Sequence, residues 1–108
     1  MADKMIIVND ANFSSEVEQS SLPVLVDFGA TWCGPCKALG ATLDGMIDGY
    51  EGRAKFCYVD IQEAPSAAMK FGIRSVPTVI VFKNGTPAGS LLGAVSKPKI
   101  EDLLSVVV

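Results

Sequence analysis

Two cysteines, Cys33 and Cys36, stand three positions apart in the segment Trp32-Cys33-Gly34-Pro35-Cys36. They are the residues of this chain best suited to do chemistry. Where a loop turns into a helix, that spacing puts both sulfur atoms on one side, close enough to bridge. The free N–H groups and the dipole at a helix N-terminus favour an anion, so a thiolate at Cys33 is stabilised there. Thiolate is the attacking species in thiol–disulfide exchange. Cys36, deeper in the helix, keeps its proton longer and acts second. Pro35 suits a first helical turn, where its missing N–H would have been unpaired anyway, and it stiffens the ring.

Two other uses of the pair fit less well. A bridge closing so short a ring stabilises by only ~2 kcal/mol in loop-entropy terms, against ~4–5 for a long loop. Zinc wants four ligands. The pair offers two, the third cysteine is Cys57, and the chain has no histidine. The lack of histidine also removes the commonest general base and any Cys/His nucleophile pair. Redox exchange is the use that the spacing favours, with no metal and no bound cofactor beyond the Cys33–Cys36 disulfide itself.

The scaffold for this pair is 108 residues long and 49% hydrophobic. That is one domain, residues 1–108, with enough apolar mass to fold without disulfide staples. Net charge is −3 and no basic block stands out, so nucleic acid is not an expected partner. The apolar stretch Met5–Val8 is too short for a secretory signal, and nothing approaches the ~20 apolar residues of a membrane span. An odd number of cysteines argues against a secreted disulfide framework. A soluble, cytoplasmic, monomeric protein is expected.

Hydrophobic patterning alternates between strand and helix. Strands are expected at Met5–Val8, Val24–Phe28, Ala54–Asp60, Pro77–Phe82 and Pro87–Leu92. Helices are expected from a cap at Asn9 or Asp10 to Ser20, from Cys33 to Tyr50, at Pro65–Phe71, and after a Ser96 cap to the C-terminus. Asn84-Gly85 signals a two-residue hairpin turn. The order βαβαβαββα implies an α/β fold whose parallel sheet is covered on both faces and closes with an antiparallel edge. Along the second strand Val24, Val26 and Phe28 share one face, and Leu25 and Asp27 the other. With both faces covered, Asp27 is buried and its pKa raised. Cys57 falls within a strand and reads as a buried, unreactive core thiol. Lys37 reads as a solvated helix residue.

Several motifs in order now resemble the thioredoxin family along nearly the whole chain. They are Trp32-Cys33-Gly34-Pro35-Cys36-Lys37, the preceding Val26-Asp27-Phe28, and Phe71-Gly72-Ile73-Arg74-Ser75-Val76-Pro77-Thr78. Phe82-Lys83-Asn84-Gly85 and Gly93-Ala94 complete the set. The resemblance implies a central five-stranded mixed sheet flanked by four helices, and reduction of protein disulfides with Cys33 as nucleophile and Cys36 resolving. It implies Asp27 beneath the cysteines as a proton relay to Cys36, and a cis Val76–Pro77 bond. Trp32, Gly34, Pro35, Val76, Pro77 and Gly93 would form the substrate surface, with Ile61 at its margin. NADPH-dependent thioredoxin reductase is the implied electron donor, and protein disulfides are the substrates.

Three departures from that family pattern stand out. Gly29 replaces a second tryptophan, which predicts looser packing beside the site. Leu39-Gly40-Ala41 lacks the usual proline, so any helix bend falls to Gly40. Phe56-Cys57-Tyr58 lacks a lysine that commonly faces the buried aspartate, which predicts a still higher Asp27 pKa. Besides a general reductase, two readings stay open: an oxidoreductase dedicated to one partner or electron-transfer chain, and a binding module on the same fold with incidental redox.

Overall fold

The computed structural model describes residues 4–108; Met1, Ala2 and Asp3, the start of the expected single domain, lie outside. Five strands form one sheet: β1 (Ile6–Val8), β2 (Val24–Gly29), β3 (Lys55–Asp60), β4 (Thr78–Lys83) and β5 (Thr86–Leu92). Their spatial order is β1-β3-β2-β4-β5. The first three run parallel, while β4 and β5 are antiparallel additions. This is the expected mixed sheet. Pro77 falls just before β4, consistent with its missing N–H, which could not join a ladder. At the β4–β5 hairpin, Asn84 has φ 53° and Gly85 φ 78°, the pair of positive angles a type I′ turn needs. Gly85 is required twice over: a Cβ there would run into the Glu18 carbonyl oxygen.

Four helical segments flank the sheet: a π-helical turn (Ser14–Glu18), α1 (Gly34–Asp44), α2 (Pro65–Lys70) and α3 (Lys97–Leu104), with a further 3₁₀ turn at Ile47–Tyr50. Period-two alternation sorts the core into two layers. Leu25, Phe56, Tyr58, Val79 and Val81 face α1 and α3, packing on Leu39, Leu43, Ile100 and Leu104. Val24, Val26, Phe28, Cys57, Val59, Ile80 and Phe82 face the other way, onto Phe13, Val17, Ala64 and Ala67.

Several expected boundaries are corrected. The first helix is not continuous to Ser20. Asn9 Oδ1 accepts from the N–H groups of Ala11 and Asn12, and only a wide turn follows. It is held by Gln19, whose backbone and side-chain N–H groups both reach back to Ser14. Asp10 caps a different helix. Its carboxylate accepts from Ser66 N–H at 3.1 Å and Ala67 N–H at 3.0 Å, the first turn of α2. Helix α1 runs through Gly40 but stops at Asp44, not Tyr50, where Gly45, a poor helix former, begins tighter turns. Ser96 sits at the N-cap of α3, yet its side chain makes no capping bond; its carbonyl accepts from Lys99 and Ile100.

Candidate active site

Strand β2 carries Asp27 and ends at Gly29; a short turn then leads into Cys33, the N-cap of α1. Cys33 has extended backbone, φ −100° and ψ 113°, and its Sγ accepts the Cys36 N–H at 3.1 Å. A sulfur thus stands where a capping oxygen would. Cys33 and Cys36 are joined as a disulfide with a Cα–Cα distance of 5.2 Å. Cys33 keeps 6% exposure and Cys36 only 1%, so Cys33 is the more accessible of the two residues.

Around the pair, Ala30 packs against both cysteines, and Ile61 and Val76 complete the cluster. The Val76–Pro77 bond is cis, as the resemblance implied. The Val76 carbonyl oxygen lies 3.9 Å from Cys33 Sγ. Gly93, at φ +84°, donates its N–H to the Pro77 carbonyl at 2.8 Å, tying the loop after β5 to this rim. Trp32 is 66% exposed, which excludes ordinary core packing as its role. Gly34 and Pro35 lie exposed in the first turn of α1, and Lys37 is exposed as expected. Pattern reading missed Ala30, since nothing in a lone alanine marks it.

Asp27 is fully buried. Its register neighbours are Tyr58 on β3 and Val79 on β4. Burial alone raises its pKa from 3.8 to about 7, with no cation to offset it, as the missing lysine predicted. Neither carboxylate oxygen has a hydrogen-bond partner among the described residues, and the same holds for the Tyr58 hydroxyl. Cys57 is free and buried in the opposite core layer. Burial pushes its thiol up to about 12; Lys55 lowers it less, and Glu16 adds to the rise. It stays protonated and inert at ordinary pH.

Gly29 corrects the expectation of loose packing. A Cβ built there would lie 3.0 Å from Tyr58 Cε1, 3.3 Å from the Tyr58 hydroxyl oxygen and 3.5 Å from Cys36 Cβ. The Tyr58 ring occupies the space a larger residue at position 29 would need. Two of the three departures therefore meet at one place in the structure. Sequence alone shows neither which face Tyr58 takes nor that it reaches under β2.

Among the described residues no three His, Cys, Asp or Glu side chains gather as a metal site would, and no helix is long and apolar enough to cross a membrane. A CxxC disulfide at a helix N-cap, a cis-proline beside it and a mixed sheet beneath define a thiol–disulfide oxidoreductase. The redox group is part of the protein. The thioredoxin family model matches residues 4–106. The chain is similar to thioredoxin 1 of Synechococcus elongatus, 43% identical over 97 residues, covering 90% of this chain and 91% of that protein. It is 38% identical over 104 residues to the thioredoxin of Pseudomonas aeruginosa, 96% of each chain. It is also 38% identical over 104 residues to the chloroplastic thioredoxin M5 of Oryza sativa, of whose length it spans 60%. The chain belongs to the thioredoxin family, and its activity is protein-disulfide reduction through the Cys33–Cys36 pair.

Proposed function

We propose a division of labour within the pair: Cys33 attacks, Cys36 resolves, and Asp27 handles the proton. The observation that carries it is the asymmetry of exposure, 6% against 1%, with the Cys36 N–H aimed at Cys33 Sγ. In the reduced protein that N–H and the α1 dipole favour a Cys33 thiolate. The thiolate attacks one sulfur of a substrate disulfide; the S–S bond breaks, and the departing sulfur leaves with the electron pair and takes a proton. Asp27, with a pKa about 7, takes the proton of Cys36 near neutrality. The Cys36 thiolate then attacks Cys33 Sγ and expels the second substrate sulfur, which collects a proton in turn. The substrate gains two electrons and the protein becomes the disulfide.

Trp32, Gly34, Pro35, Val76 and Gly93 form the docking surface, with Pro77 buried behind it and setting the direction of the Val76 backbone. The Val76 carbonyl beside Cys33 offers an extended peptide a backbone partner, and backbone pairing tolerates varied side chains. This favours a general reductase over a dedicated one. It acts as a single monomeric domain in the cytoplasm, without a bound cofactor and apart from nucleic acid and membranes. Protein disulfides are its substrates, and an NADPH-dependent thioredoxin reductase reloads it with electrons. Insulin reduction with dithiothreitol, then with NADPH and thioredoxin reductase, tests both halves. Turnover with the chemical reductant but none with the enzyme would point to a dedicated donor.

A further inference from the structure

Asp27 and Tyr58 pair across parallel strands, on one face of the sheet. Three buried side-chain oxygens lack a hydrogen-bond partner among the described residues: Asp27 Oδ1, Asp27 Oδ2 and Tyr58 Oη. Leaving such groups unpaired is costly, and a single water, which takes two to four polar partners, can satisfy groups of this kind. One point fixes where Tyr58 ends. The Cβ position of Gly29 is 3.3 Å from its hydroxyl oxygen and 3.5 Å from Cys36 Cβ. The hydroxyl and Cys36 Cβ thus lie within contact distance of one common point, which a larger residue at position 29 would fill.

We propose that Tyr58 is a positioning residue for proton transfer: through one bridging water, its hydroxyl holds the Asp27 carboxyl beneath Cys36. The idea rests on the proton role assigned to Asp27 above, and adds how this chain serves that carboxyl without a cation. As a neutral donor, Tyr58 stabilises the ionised carboxylate, so removing its hydroxyl raises the Asp27 pKa further. The coupling runs both ways: the phenol of Tyr58 is pushed up to about 12 by burial, then by the charges of Asp60 and Asp27. Of the other elements on this face, α1 presents Cys36 to the site. The core residues from β4 and α3 are apolar: Val79, Val81, Ile100 and Leu104.

The test is a carbon-13 NMR titration of the Asp27 carboxyl in the oxidised protein, where neither Cys33 nor Cys36 titrates. Tyr58→Phe keeps the ring under Gly29 and removes only the donor. It should raise the Asp27 pKa by about one unit and move the acidic limb of the insulin-reduction pH profile the same way. A carboxyl pKa that stays or falls overturns the proposal. Independently, Asp27→Asn in a Tyr50→Phe background should lower the Tyr58 phenol pKa, read by tyrosinate absorbance; an unmoved phenol also overturns it. Both titrations are read without turnover. Should Asp27→Asn leave the reduction rate unchanged, the proton role fails on its own, and the Tyr58–Asp27 coupling is still decided by titration.

Discussion

Gly29 on β2 and Tyr58 on β3 share the volume of one side chain, with the Cβ position of the first 3.0 Å from Cε1 of the second. Gly29→Ala should cost about 1 kcal/mol through overpacking, and Gly29→Trp considerably more. Tyr58→Ala alone should cost roughly 3 kcal/mol by opening a cavity. The double change Gly29→Trp with Tyr58→Ala should be more stable than the sum of the single effects predicts. Urea denaturation of the four proteins measures the coupling, and strict additivity would mean that the two sites are independent.

Cys33→Ser should abolish insulin reduction, since the more accessible cysteine is lost. Cys36→Ser should leave the first attack intact and the second impossible. A covalent protein–substrate adduct should then accumulate and be visible on a non-reducing gel. Adduct from Cys33→Ser instead would reverse the assigned order.

Asp27 ties its proposed proton role to stability with a definite sign. Its folded pKa, about 7 against an ordinary 3.8, means that the folded state binds the proton more tightly. Its contribution to stability is therefore greatest at low pH and is lost as pH rises from about 4 to above 7, by up to about 4 kcal/mol. Asp27→Asn should flatten that profile and stabilise the protein near neutrality while slowing disulfide reduction there. Chemical denaturation across this pH range, alongside turnover, checks both. A wild-type stability that rises over the window would contradict the buried-carboxyl assignment.

Trp32 is 66% exposed, and truncating it removes little that the fold needs. Trp32→Ala should change stability by no more than about 0.5 kcal/mol. It should raise KM for a folded protein disulfide and affect a small-molecule disulfide less. Equal losses on both substrates would assign Trp32 to the chemistry, not to docking.

Much of this was legible because strand and helix periods alternate cleanly and the hairpin carries Asn84-Gly85. Burial of Asp27 followed from one charge inside Val24–Phe28, a strand with both faces covered. The proposed Cys33/Cys36 order rests on helix-terminus electrostatics. What escaped pattern reading was set by contacts remote in sequence. Asp10 looks like a cap for the residues after it, and only the fold shows it serving α2. Gly29 looks like a packing defect until β3 is laid beside β2 and Tyr58 is found in the gap. Ser96 has the right type and backbone for a side-chain cap, yet that bond is not made.

The Asp10 carboxylate on the Ser66 and Ala67 N–H groups also bears on how the chain can be divided. A cut in the loops between them yields two pieces, each holding half of one hydrogen-bonded clasp. The N-terminal piece carries an anion with no helix end to meet, and the C-terminal piece carries α2 with bare amides. Mixed together, such fragments have a polar, directional reason to find each other in register, beyond the greasy surfaces they would also hide.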